Sequence, residues 1–197
     1  MAQPKSEVRE YVEALLIAVV LALVIITFVA QSYVVDGPSM EPTLHNGERL
    51  LVDKLTYRFR APERGEIIIF RYPADPSRRF VNRVIGVPVD TIAVHDQHVW
   101  LNGVELSEPY PKEATYGVFP NCSPTGDCPP EKIEPGHFFV MGDNRNNSED
   151  SRFPDVGQVP RKLVVGRAVI RYWPPTRLGL FHRPADVYQK AVAQTGG

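Results

Sequence analysis

The residue types best suited to chemistry sit in two short polar stretches far apart in the chain. The first reads Asp36-Gly37-Pro38-Ser39-Met40-Glu41-Pro42-Thr43-Leu44. A turn constrained by glycine and proline can present the Ser39 hydroxyl and backbone N–H groups together, with Pro38 fixing one φ angle. The chemistry this would support is attack of Ser39 Oγ on a carbonyl carbon, with N–H groups of the turn stabilising the oxyanion. Taken alone, the same residues make an ordinary turn. The second stretch, Gly142-Asp143-Asn144-Arg145-Asn146-Asn147-Ser148-Glu149-Asp150-Ser151-Arg152, ends a run that is otherwise apolar. Polar groups at the end of a buried strand must find partners. Asp150 and Arg152, two apart, share a side of an extended segment and can pair as a rigid support. A solvated loop whose charge pairs contribute little is the plainer reading of that segment in isolation.

The elements that must position these residues are strands. Alternating or β-branched runs occur at 48–53, 66–70, 80–86, 90–95, 98–101, 137–143 and 162–173, separated by turn signals such as Pro73-Ala74-Asp75-Pro76 and Asn102-Gly103. With 19 prolines and no long amphipathic period downstream, a helical domain is hard to place, although 185–194 is expected to hold one short helix.

Ahead of these strands the pattern is continuous rather than alternating. From Ala14 to Ala30 every residue except Thr27 is apolar, and no charge falls between Glu13 and Asp36. A bilayer-crossing helix takes about 20 predominantly apolar residues, so the sequence predicts an uncleaved anchor over 11–35. A cleaved leader fits less well. The run exceeds the ~7–15 residues of a leader's apolar core, Lys5 and Arg9 are mixed with Glu7 and Glu10, and Phe28 and Ala30 make no A-x-A site.

Composition narrows the function classes. The 197 residues, 43% of them hydrophobic, suit one domain plus a short appendage. Lys plus Arg total 22 against 23 Asp plus Glu, which leaves no basic field for nucleic acid. Cys122 and Cys128 flank a Pro- and Gly-rich loop that a disulfide could close, which fits an oxidising compartment; two free thiols are the alternative. No further Cys or close pair of His completes a metal site.

Taken together, in this order behind one apolar segment, the two stretches resemble the boxes of the bacterial type I signal peptidases, serine proteases with a Ser/Lys dyad. GPSMEPTL is similar to the family's nucleophile box, RGEIIIFRYPADP with FVNRVIGVPVD to its central strands, and GDNRNNSEDSR to its last box; the Cys-x5-Cys loop resembles one found in some members. The resemblance runs from the apolar segment to about Trp173. It implies Ser39 as nucleophile with its own N–H as first oxyanion donor, Met40 lining the substrate cleft and Ser148 orienting the base. Arg83, Asp143, Arg145, Asp150 and Arg152 would stiffen the site. Some members add an oxyanion donor from a serine two positions before the nucleophile, where this chain has Gly37.

Two departures stand out. The family's lysine, which loses its proton near neutral pH in an apolar setting, precedes the arginine matching Arg83. Here that position is Asn82, whose amide is not a base. Arg83 stays protonated at any ordinary pH, and His45, His95 and His98 read more simply as exposed strand or turn residues. Further on, the family's Pro-Gly-Asp turn is Pro88-Val89-Asp90. If that turn needs φ > 0, Val89 pays on the order of 1–3 kcal/mol.

The resemblance thus implies a mainly β fold: a single N-terminal transmembrane helix followed by an all-β, antiparallel, partly barrel-like extracytoplasmic domain. The expected divisions are 1–10 cytoplasmic, 11–35 anchor, 36–176 β domain and 177–197 tail. The expected function is a signal peptidase I-type endopeptidase that removes signal peptides from exported preproteins at the outer face of a bacterial cytoplasmic membrane, crippled by Asn82. The alternative is an inactive homologue that binds signal peptides or assists an active partner. Partners would be preproteins and the lipid bilayer, without nucleic acid; no cofactor or metal is implied, and oligomeric state is not legible.

Overall fold

A computed structural model describes residues 7–24, 29–111, 113–115, 122 and 126–193. In chain order the elements are α1 (Glu7–Val24), β1 (Ala30–Val34), β2 (Arg49–Asp53), α2 (Thr56–Phe59), β3 (Ile67–Arg71), β4 (Arg79–Gly86), β5 (Thr91–His95), β6 (His98–Leu101), β7 (Val104–Glu105), β8 (Cys128–Lys132), β9 (His137–Met141), β10 (Val159–Pro160), β11 (Val164–Trp173), β12 (Gly179–Leu180) and α3 (Ala185–Ala193). The strands form two antiparallel sheets. The larger runs β1-β2-β11-β3-β4-β9-β10, with β12 added to β11, and the smaller runs β7-β6-β5-β8. Register shifts in β11 and β4 mark bulges that bend the larger sheet. It curls into a half-barrel and stays open, with β1 and β10 as its edges.

The expected anchor over 11–35 is corrected. Helix α1 begins at Glu7 and carries Glu7, Arg9, Glu10 and Glu13 among its 18 residues. No helix among the described residues is long and apolar enough to cross a membrane. Residues 25–28 of the expected span, 1–6 of the expected cytoplasmic segment and the chain end at 194–197 lie outside the described residues. At the other end of the span, Ala30–Val34 is strand rather than helix. It pairs in full register with β2, Ala30 opposite Asp53 and Val34 opposite Arg49, so tertiary pairing overrides the apolar continuity of the sequence. The large apolar side chains from Leu15 to Leu23 are exposed.

Strand β3 separates two cores. Ile67 and Ile69 pack with Val35, Met40, Leu44 and Leu50, while Ile68 and Phe70 pack with Val84, Phe138 and Val140. A strand buried on both faces shows no polar alternation, which is why its sequence is a continuous apolar run. A third core joins the sheets. Ile85, Phe139 and Met141 of the larger meet Ile92, Val99 and Leu101 of the smaller, with Tyr188 and Ala191 of α3 packed among them. Helix α3, within the stretch expected as a tail, packs into this core through Val187, Tyr188 and Ala191. The turn at 88–90 does require a positive φ: Val89 sits at 73° with its side chain exposed. Buried Asp90 holds that turn by accepting Val87 N–H (2.9 Å) and Arg64 Nε (2.7 Å).

Candidate active site

The loop between β1 and β2 is drawn tight at its neck, where Val35 N–H donates to Glu48 O (2.8 Å) and Gly47 N–H to Val35 O (2.9 Å). Gly37 lies at φ 96°, a backbone conformation that favours glycine. Its N–H donates to Asn46 Oδ1 (3.0 Å), so it is engaged and not offered to an oxyanion. Ser39 is half-buried, and none of the described residues accepts its N–H or pairs with its hydroxyl. Met40 departs from expectation. The turn that leaves Ser39 at the cleft sends Met40 inward, where it is fully buried against Leu44 and Leu50 and does not line the cleft.

The cleft has a volume of about 230 Å³ and brings Gly37, Pro38, Ser39 and Asn82 together with Tyr33, Leu50, Ile69 and Phe80. One of its walls is an incomplete strand pair. Residues 79–83 of β4 pair with β3, but β9 joins β4 only from Arg83, opposite Met141. Among the described residues, the backbone of 79–82 is thus unpaired on that side. Asn82, opposite Ile68, is 1% exposed and shares its face of β4 with Phe80 and Val84. Among the described residues its Nδ2 has no hydrogen-bond partner, and neither has the buried Ser148 Oγ.

The second polar stretch passes directly beneath the first. At Gly142 a Cβ would overlap both Ser148 Oγ and Ser39 O, so only glycine permits this close approach. Asn144 N–H then donates to Ser39 O (3.0 Å) and Asn144 Nδ2 to Pro38 O (3.1 Å). Asp143 accepts Thr43 Oγ1 (2.5 Å), Arg83 Nε (2.8 Å) and Arg83 Nη2 (2.6 Å). Asp150 accepts Gly142 N–H (3.0 Å), Arg152 Nε (2.8 Å) and Arg152 Nη2 (2.8 Å), and Arg152 Nη2 also reaches Arg145 O. The Asp150–Arg152 pair expected from spacing is present. Burial alone would lower the Arg83 pKa, but its hydrogen bonds to Asp143 outweigh this and hold it above its ordinary value. Arg145 behaves alike, with Glu108 as the counter-charge.

Sequence reasoning missed the partners of Arg145. Its Nη1 and Nη2 donate to Glu108 (2.8 and 2.6 Å) and Nη1 also to Thr115 Oγ1 (2.7 Å), while Nε reaches Gly142 O (3.1 Å). Tyr110 was missed too, although the Arg83 guanidinium stacks 3.9 Å above its ring centroid. These residues lie in a proline-flanked stretch without periodicity, which carries no signal for such contacts. The three histidines nearby in the sequence stand away from the cleft. His45 Nδ1 contacts Arg177 Nη1 (2.6 Å), His95 and His98 belong to the smaller sheet, and none lines the cleft. Cys122 and Cys128 are disulfide-bonded, with Cα atoms 4.2 Å apart.

Fold and site together define an antiparallel β protein with a serine-bearing turn set beside an open strand edge. Residues 8–173 match the model of the family described as signal peptidase, peptidase S26. A signal peptidase I of Leptolyngbya laminosa is 40% identical over 191 residues, covering 90% of this chain and 87% of that protein. One from Bacillus licheniformis is 42% identical over 175 residues, covering 86% and 91%, and one from Mycobacterium tuberculosis H37Rv is 35% identical over 223 residues, covering 89% and 76%. The crystal structure of a signal peptidase I from Enterococcus faecalis V583 is 31% identical and covers 56% of this chain and 98% of that one, with a TM-score of 0.45. The chain belongs to the signal peptidase I family.

Proposed function

We propose that the chain receives signal-peptide-bearing preproteins in extended form in its cleft, with Ser39 as the nucleophile of a peptide hydrolysis that Asn82 deprives of its base. The observation that carries this reading is the meeting, in one cleft, of an unbonded Ser39 hydroxyl and a buried Asn82 amide without a partner. An extended peptide can add to the unpaired backbone of residues 79–82 as an extra strand. The apolar lining from Tyr33, Leu50 and Ile69 suits small side chains one and three places before the cut. In the acyl-enzyme route Ser39 Oγ attacks the scissile carbonyl, its own N–H stabilises the oxyanion, and the hydroxyl proton must pass to a base. A lysine at position 82, on the face of Phe80 and Val84, would be easily deprotonated there. An asparagine takes no proton, and loss of one member of a catalytic unit leaves only about 10³–10⁴ over the rate in water.

The test is cleavage of a preprotein bearing an A-x-A site by the chain as it stands, by Asn82→Lys, and by Asn82→Lys with Ser39→Ala. Cutting by Asn82→Lys alone is expected. Near-normal turnover by the unmodified chain overturns the role given to position 82. If none cuts while the preprotein still binds, the cleft is a receptor, a reading favoured by the asparagine itself. The domain is assigned to the extracytoplasmic side of a bacterial membrane. The exposed apolar side chains of α1 and the Cys122–Cys128 disulfide support this. Protease access to the disulfide loop only from the cytoplasmic side would overturn it.

A further inference from the structure

The helix α3 lies beyond residues 8–173, the part of the chain matched to the family, yet it reaches the floor of the site by two routes. Both start at Tyr188, which is 3% exposed. On the first, Tyr188 Oη lies 2.6 Å from Tyr110 Oη, and Tyr110 Oη lies 2.6 Å from Glu108 Oε1. A carboxylate only accepts hydrogen bonds, so the Tyr110 proton points to Glu108 and Tyr188 donates to Tyr110. Glu108 in turn holds Arg145 through two hydrogen bonds, and Arg145 Nε holds Gly142 O. On the second route the Tyr188 ring packs on Gly65, its Cε2 3.0 Å from where a Cβ would stand. Gly65 O accepts Arg83 Nη1 (3.0 Å), and the Arg83 guanidinium is clamped between the Tyr110 ring and Asp143.

The routes converge on residues 142–144, whose backbone and side chains bond Ser39 O, Pro38 O and Thr43 Oγ1. We propose that α3 is a strap that keeps Ser39 in working register, with Tyr110 and Tyr188 as positioning residues. The proposal rests on the reading of Ser39 given above. Neither tyrosine lines the cleft, so each acts through the 142–145 turn. A displacement of that turn far smaller than an unfolding event is enough to slow chemistry, because a misplacement of about 1 Å can lower a rate by about 10²-fold.

Two measurements test it, one of them independent of activity. Amide hydrogen exchange is followed in the unmodified chain, in Tyr188→Phe and in Gln189→Ala, a change on the exposed face of α3. Tyr188→Phe should speed exchange at 142–147 about fivefold while β5 and β6 keep their rates, and Gln189→Ala should change neither. Unchanged exchange at 142–147, or a rise spread evenly over β5 and β6, overturns the proposal. In the Asn82→Lys chain, Tyr188→Phe should lower kcat about tenfold with KM within about twofold; an unaltered kcat also overturns it. If Asn82→Lys does not cut at all, the proposed activity fails, and the exchange measurement still decides the role of α3.

Discussion

The charge pairs around the 142–152 turn and two side chains among them, Asn82 of β4 and Ser148 of the turn itself, are built to different standards. Arg83 of β4 and the turn's own Arg145 and Arg152, all buried, each meet a carboxylate, and the main-chain N–H of Gly142 and Asn144 are both taken. At position 82 and at Ser148, a buried amide nitrogen and a buried hydroxyl have no partner among the described residues. Buried polar groups are normally satisfied, and an orphan is expensive. The contrast separates what holds the site together from what would run it: the charge pairs are complete, and the unmatched Asn82 amide stands where the proposed proton transfer needs a base.

Breaking the matched side should have the larger effect on stability. Asp143→Asn removes the carboxylate charge and leaves the Arg83 guanidinium, 4% exposed, without a counter-ion. A loss of about 3–5 kcal/mol is expected in urea unfolding of the detergent-solubilised chain. A loss below about 1 kcal/mol would mean that solvent reaches Arg83 and that the two regions are not so different. On the unmatched side the sign should reverse. Asn82→Leu replaces an orphaned amide with an apolar group of similar size beside Phe80 and Val84, and should be neutral or raise stability by about 1–2 kcal/mol. A clear loss would show that the Asn82 amide has a partner, such as bound water, and would erase the contrast.

Much of the framework was legible in the sequence. The runs at 66–70, 80–86 and 137–143 became β3, β4 and β9 because β-branched residues filled two cores at once, and the helix expected from Ala185 onward became α3. The Pro88-Val89-Asp90 turn has the positive φ that the resemblance could give only as a condition. Strand β1 was hidden, since Ala30–Val34 continues an apolar run and only pairing with β2 makes it a strand. In the site, Asp150 and Arg152 could be paired from spacing. The partners of Arg145 could not, because Glu108 and Thr115 are 37 and 30 positions away and only the meeting of the two sheets brings them in. Met40 was assigned by position in a motif, and a motif does not say which way a side chain on a tight turn points.

The open backbone at residues 79–82 also has a bearing on how the protein keeps to itself. An edge that must stay free for a guest strand would equally accept the same edge of another copy. Arg79 stands opposite Arg71 across the hairpin, and Arg78 is exposed beside it. Antiparallel self-pairing shifted towards the tip, with residue 78 opposite residue 79, would set arginines against arginines, and like charges facing each other across strands repel. The hairpin tip therefore disfavours that register of self-pairing, while the edge stays open to the extended guest proposed for it.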